Sequence, residues 1–444
     1  MQLRKCKKMF FKGTHRTVSP KETKEMVFGK IKRSKLPVFD KIIDISGYNK
    51  SKIPVYAITH KKRFGKCRFP GWKCSGEGGC CSNCRLPSWG KGLTDDAAVV
   101  SGLMERVERY TASDIFARKS EIIFSDYSSL KKKGAKSRWD FVPCNLQRKL
   151  YSKNKIDKQA MPWVSCFSLT KNKDVLVPAN LVFFSSEWCQ NDFSDTTGLA
   201  TGNCLEEAIV HALCEIIERH LEDVVSWNKV KVPTIPIESI KDKDLSGLIK
   251  KIQTKEDLEI WISYLTGDFK IPAFRVFAYP RKPPYPLTLP FYSSVGVHPD
   301  KGVALSRALT ELMQSRASTL YRIENNHDKV LNSNCFPGEM LNFYAQTIDK
   351  DIAYFNEIKS YENKDNLDDI KLISGVLHNQ GSEIIVRDLT HPQLGIVTVR
   401  VLATGLQPGI FGISIVDLNH KVARVTPHLK HYHHLKKNIK NIDM

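Results

Sequence analysis

No stretch of about 18 consecutive apolar residues occurs in this 444-residue chain, so a membrane-spanning helix is not expected. No apolar stretch follows the basic N-terminus, so the pattern of a secretory signal is missing as well. No G-x-x-x-x-G-K-[ST] segment is present, which removes the P-loop as a way to hold a nucleotide. Acidic residues are scarce in the first 91 positions, where 5 Asp and Glu face 23 Lys and Arg. The rest of the chain carries only +3 of the net +21. So strong a basic bias attracts anions: nucleotides, nucleic acid or an acidic protein. Cysteine is not scarce, with twelve in all, but five of them crowd between Cys67 and Cys84 and the others stand singly. In a chain of this length that usage suits a cytoplasmic protein with one cysteine-rich site better than a disulfide framework. An apolar fraction of 41% is enough for a sizeable core in one large α/β domain or a few smaller units.

What the chain does contain is a pattern written three times. Gly92 to Arg109 reads GLTDDAAVVSGLMERVER, and Gly202 to Arg219 reads GNCLEEAIVHALCEIIER. Without a gap, the two agree at Gly92/Gly202, Ala98/Ala208, Val100/Val210, Leu103/Leu213, Glu105/Glu215, Glu108/Glu218 and Arg109/Arg219. A third stretch, GVALSRALTELMQSR, puts Glu311 and Gln314 where the other two put their glutamates. Residues three apart share a helix face, so two helices present E-x-x-E and a third E-x-x-Q. The Glu105–Arg109 and Glu215–Arg219 spacing also makes ordinary helix pairs worth about 0.2–0.5 kcal/mol each. A solvated face, however, needs no alanine at matching places, and a packed helix does. If the three faces converge, only a strong cation makes the carboxylates tolerable together. Mg²⁺ suits such an oxygen-rich cluster, held by a few carboxylates and a nucleotide's phosphates.

Around these helices the organisation reads as follows. Residues 1–63 form a basic N-terminal region, with GTHRTVSPKET opening a short helix and two strands within 37–60. Residues 64–90 are a cysteine-rich insert in a loop of Gly, Pro and Ser. The main domain spans 91–425. It holds repeat helices at about 94–112, 204–227 and 301–324, and strands at WVSCFSLT, VLVPANLVFF, SEIIVRDLT and GIVTVRVLAT. Residues 236–320 read as a β-α-β unit ending in the third helix, and 325–372 as charged helix or loop. Residues 426–444 are a His- and Lys-rich tail.

Cys67, Cys74, Cys80, Cys81 and Cys84 follow C-x6-C-x5-C-C-x2-C, which suits Zn²⁺ or an iron–sulfur cluster. Disulfides or a sulfur-carrying persulfide are the other readings of the same spacing. The +18 N-terminal region with its cysteine cluster also admits an RNA-binding module, with the repeat helices as a purely structural core. That region lacks the row of interleaved aromatics that base stacking uses.

GKGLTDDAAVVSGLMERVERYTA, TGNCLEEAIVHALCEIIERH and ALSRALTELMQSRA, in that order, resemble the YcaO superfamily. GTHRTVSPKET and GIVTVRVLATGLQP resemble its thioamide-forming, TfuA-associated branch. The resemblance implies an α/β (mixed α+β) fold of three pseudo-repeated helix units packed on β-sheets around a central nucleotide site. It implies ATP and Mg²⁺ as cofactors and phosphorylation of a peptide backbone amide oxygen. Sulfide attack then yields a thioamide, as in a thioglycine of methyl-coenzyme M reductase or of a ribosomal peptide. The alternative is attack by a Cys, Ser or Thr of a precursor peptide to give an azoline. Carried over residue by residue, Glu105, Glu108, Glu215 and Glu218 would bind Mg²⁺. Asn203 and Glu207, on the family's N-x-x-x-E, would join that site, with Lys91 near the phosphates and Ser101 lining the pocket. Gln314 and Arg316 would face the transferred phosphoryl group, with Arg307 and Glu311 beside them. A peptide or protein substrate, a TfuA-like sulfur-delivery partner and a homodimer are also implied. The chain departs from azoline-forming members in lacking a proline-rich end: it closes KNIKNIDM.

Overall fold

The computed structural model describes residues 1–60, 87–113, 120–137, 140–141, 160–183, 196–227, 230–281, 291–325 and 347–406. The five cysteines between Cys67 and Cys84 and the His-rich tail lie outside the described residues. The chain opens with a hairpin of β1 (Met9–Phe11) and β2 (Thr14–Arg16). Helix α1 (Pro20–Ser34) begins where Ser19 and Glu22 close a capping box with Pro20 at the first helical turn. Strands β3 (Ile42–Asp44) and β4 (Val55–Ile58) pair antiparallel, and β4 pairs in turn with β5 (Ser88–Lys91). The boundary expected between residues 1–63 and the main domain therefore cuts through one three-stranded sheet. Helix α2 (Asp95–Ser113) packs on that sheet and against α1.

Strand β6 (Ile122–Ser125), the short helix α3 (Tyr127–Lys131), β7 (Met161–Ser168) and β8 (Lys173–Pro178) follow. VLVPANLVFF divides at Pro178, beyond which Ala179–Val182 turns into the short helix α4. After β9 (Leu199–Gly202) comes α5 (Leu205–Trp227), the second repeat helix. Next come β10 (Val232–Thr234), α6 (Lys243–Glu256), β11 (Leu258–Tyr264), β12 (Ala273–Pro280) and β13 (Tyr292–Val297), leading into α7 (Lys301–Glu324). The last elements are β14 (Ile348–Ile352), α8 (Asn366–Asn379), β15 (Ile384–Asp388) and β16 (Val397–Ala403).

A six-stranded sheet runs β6-β7-β15-β16-β9 with β8 on β7, and a five-stranded sheet runs β13-β12-β11-β10-β14. The expected β-α-β unit is instead a helix followed by an antiparallel meander, since β11, β12 and β13 pair antiparallel in sequence. IKKIQ belongs to α6, because Leu245, Leu248, Ile249 and Ile252 recur at helical spacing and are all buried. β13 escapes a sequence reading because YSSVGV is rich in Ser and Gly.

Each repeat helix lies on the strand before it: α2 on β5, α5 on β9, α7 on β13. Small residues make this approach possible. A Cβ on Gly90 would overlap the Ala98 carbonyl and the Gly102 amide, and one on Gly296 would overlap the Ala304 carbonyl and the Ala308 amide. Ala200 takes that place in the second unit. Each helix also touches the strand of the next unit, α2 to β9, α5 to β13 and α7 to β5, so the three units close into a ring. The leucines of the repeat, Leu103, Leu213 and Leu309, are fully buried on the outer side of this ring.

Candidate nucleotide and magnesium site

The same three helices begin alike. The side chains of Thr94, Cys204 and Asp300 each accept a hydrogen bond from the third residue on, the amides of Ala97, Glu207 and Val303, at 3.2, 3.4 and 3.2 Å. With starts in register, the inward stripes are in register too. Ser101, Glu105 and Glu108 of α2, His211, Glu215 and Glu218 of α5, and Arg307, Glu311 and Gln314 of α7 all line one cavity of about 380 Å³. The spacing i, i+4, i+7 keeps each trio on one face.

Backbone amides fix several of these carboxylates. Trp89 N donates to Glu105 at 2.9 Å and Gly198 N to Glu215 at 3.1 Å. Thr201, on β9, donates to Glu108 through its amide at 2.9 Å and its hydroxyl at 3.0 Å, which joins the first unit to the second. Cations interleave with the acids. Lys91 pairs with Glu311, Arg109 with Glu105, and Arg219 lies 3.8 Å from Glu215 and 3.9 Å from Glu218. Lys12 and Arg16 reach the same cavity from the N-terminal hairpin, beyond any sequence signal that marks them.

The electrostatics of the site follow from burial and from the charges that face one another across it. Burial, with Glu105 and Glu215 close by, pushes the Glu108 carboxyl up to about 8. Burial and Glu311 push Glu218 up in the same sense. Glu311 goes the other way: burial opposes its charge, but Lys91 and Arg219 hold its pKa below the usual value. Burial and the surrounding Arg307, Arg16 and Lys91 push His211 far down, so its imidazole is neutral. Carboxylates that resist ionising because they are buried, and because neighbouring carboxylates add their repulsion, fit a divalent cation, which would offset both. The lysines and arginines on the same walls suit the phosphates that such a cation bridges.

Other residues expected at the site lie elsewhere. Arg316 does not line the cavity: its guanidinium donates to Tyr48 O at 2.9 Å and Asn49 Oδ1 at 3.1 Å and pairs with buried Glu256 at 3.3 Å. The reason is helical phase, since nine residues at about 100° each put it opposite Arg307. Asn203 and Glu207 stand beside the cavity without lining it. Glu207 accepts from the Thr17 amide and hydroxyl at 2.9 and 2.6 Å and pairs with Arg16 at 3.3 Å, while Asn203 accepts from Thr23 at 3.1 Å. They hold the N-terminal segment that supplies Arg16. Arg109 and Arg219 were visible in the repeat as helix partners, and the structure turns both toward the cavity.

A fold of three helix units around one acidic, cation-rimmed cavity defines a nucleotide- and magnesium-binding class without a P-loop. The family model described as YcaO cyclodehydratase, ATP- and Mg²⁺-binding, matches residues 89–407, and the chain belongs to the YcaO family. An uncharacterized protein of Methanothermobacter thermautotrophicus is 28% identical over 360 residues, covering 79% of this chain and 88% of its own length. An uncharacterized protein in the tfuA 3′ region of Rhizobium leguminosarum bv. trifolii is 24% identical over 340 residues, 73% of this chain and 77% of its own. Among solved structures, a heterocyclase in complex with substrate and cofactor matches with a TM-score of 0.75 at 20% identity. That match covers 94% of this chain but 57% of the heterocyclase. YcaO from Methanopyrus kandleri bound with AMPPCP and Mg²⁺ matches with a TM-score of 0.66 at 20% identity, covering 90% of this chain and 94% of that one. At these identities the two structures bear on the fold alone. No helix among the described residues is long and apolar enough to cross a membrane.

Proposed function

We propose that this chain uses ATP and Mg²⁺ to phosphorylate a backbone amide oxygen of a peptide or protein, and that sulfide then replaces the oxygen to give a thioamide. The observation that carries the first half is the convergence of Glu105, Glu108, Glu215, Glu218 and Glu311 with Lys91, Arg219 and Arg307 in one cavity. Glu105, Glu108, Glu215 and Glu218 would hold the metal, which withdraws charge from the phosphoryl group and makes phosphorus a better electrophile. Lys91, Arg307, Lys12 and Arg16 would neutralise phosphate charge, and Gln314 would orient the transferred group. Positioning and charge neutralisation are most of what phosphoryl transfer asks of a protein. The amide oxygen forms a bond to phosphorus as the bond to ADP breaks. Hydrosulfide then adds to the activated carbon, and phosphate leaves with the former amide oxygen.

Support for sulfur comes from the relative in the tfuA 3′ region, whose branch of the family the N-terminal and closing segments resemble. On this reading a TfuA-like protein delivers the sulfide, and the substrate is a glycine of a large protein or a ribosomal peptide. Ring closure to an azoline is the second reading, favoured by the likeness to a heterocyclase. One assay separates the two. The protein, ATP, Mg²⁺, sulfide and a candidate peptide should release phosphate and raise the peptide mass by about 16 Da, sulfur for oxygen. Loss of about 18 Da without sulfide would indicate the azoline instead. No peptide-dependent phosphate release, together with undiminished ATP binding in Glu215→Ala, would defeat both.

The RNA-module reading gains no support. Lys8 is buried against Asp369, Lys24 pairs with Asp96, Arg16 with Glu207, and Lys12 lines the cavity. Four of the 23 cations of the basic region are thus engaged inside this molecule.

A further inference from the structure

Outside the cavity, the described residues contain one further cluster with metal-ligand chemistry. Cys6 of the N-terminal segment, Cys204 at the start of α5 and Glu206 place their sulfurs and a carboxylate oxygen within 4.8 Å of one another. Glu206 is 1% exposed, and only one of its oxygens is used: Oε1 accepts from Arg4 N at 2.8 Å, whereas Oε2 is buried without a partner. A buried carboxylate oxygen with no donor is costly, and the Cys6 and Cys204 thiols, within 4.8 Å of a Glu206 oxygen, donate only weakly. Neither thiol is in a disulfide.

We infer that Cys6, Cys204 and Glu206 form a three-ligand site for Zn²⁺ or a similar thiophilic divalent cation, stapling the N-terminal segment to the head of the second repeat helix. Thiolate sulfur and carboxylate oxygen are both zinc donors, and three of them leave one tetrahedral position open. The supporting contacts are in place. The Glu207 amide donates to Cys204 Sγ at 3.4 Å, and the helix start favours a thiolate there. The Asn366 amide donates to Cys6 O at 2.9 Å and its side chain to the same oxygen at 3.3 Å, which fixes the Cys6 backbone. Uptake releases two protons, one from each sulfur. The role is structural. The staple lies between Arg4 and the hairpin that brings Lys12 and Arg16 to the nucleotide cavity.

The test is peptide-resolved alkylation of the full-length chain, read by mass spectrometry, which distinguishes these thiols from the cysteine-rich insert. Cys6 and Cys204 should be protected together after incubation with zinc and exposed together after chelation. Glu206→Gln, which keeps the shape, should lose that protection, and Cys204→Ser should bind one metal equivalent fewer. Equal alkylation with and without zinc in the wild type would overturn the inference, as would a Cys6–Cys204 disulfide in protein purified without reductant. Protection unchanged in Glu206→Gln would overturn the assignment of the third ligand.

Discussion

Glu108 shows how a single side chain reports its site. In the metal-free folded protein its carboxyl holds a proton up to about pH 8, whereas the ordinary glutamate value is 4.5. Between those values the folded state binds the extra proton, so this group makes the metal-free protein less stable as pH rises through the window. Melting temperature measured from about pH 5 to about pH 8 should therefore fall in the wild type and fall less in Glu108→Gln. Saturating Mg²⁺ with a nucleotide should also flatten the profile, since the cation competes with that proton and adds more stability as pH rises. At this scale much of the site was legible from the repeat. Nine of the expected residues line the cavity, because repeat register and helical phase together determine which way a side chain faces. Arg316 was open to the same phase argument and fails it. Arg16 and Lys12 were not legible, since nothing local ties residues of an N-terminal hairpin to helices 190 or more positions away, as the Arg16–Glu207 pair does.

The first and third repeat helices approach their strands so closely that Gly90 and Gly296 leave no room for a methyl group. Gly90→Ala should cost about 3 kcal/mol by forcing strand and helix apart, read by chemical denaturation, and should lower nucleotide affinity as Glu105 shifts. Gly247→Ala is the control: it sits exposed in the middle of α6 with nothing within 4 Å of a new Cβ. That change should stabilise by about 0.5–1 kcal/mol through helix propensity alone. The long helices were legible nearly to the residue, since their period and capping residues are local. The strand β13 and the meander were not, because Ser- and Gly-rich strands carry weak propensity and pairing partners are chosen at a distance.

At the scale of the whole molecule, ring closure is what turns three helix faces into one site. The N-terminal segment completes the wall and is anchored by Lys8, 7% exposed, against fully buried Asp369 of α8. Lys8→Met should cost about 3–5 kcal/mol by leaving a buried carboxylate unpaired, and Lys8→Met with Asp369→Leu should recover most of that in thermal unfolding. A single mutant as stable as the wild type would show that the segment is not anchored there.

The amino-acid sequence by itself determined the three helices, their register and the acidic stripe on two of them, because caps, small residues and a 3.6-residue period act over a few positions. Tertiary structure alone decided that the stripes meet, that Lys12 and Arg16 join them, and that Cys6 finds Cys204. Those outcomes depend on which strand pairs with which and which helix touches the next unit, and such contacts are selected by burial across the whole chain rather than by any neighbourhood within it.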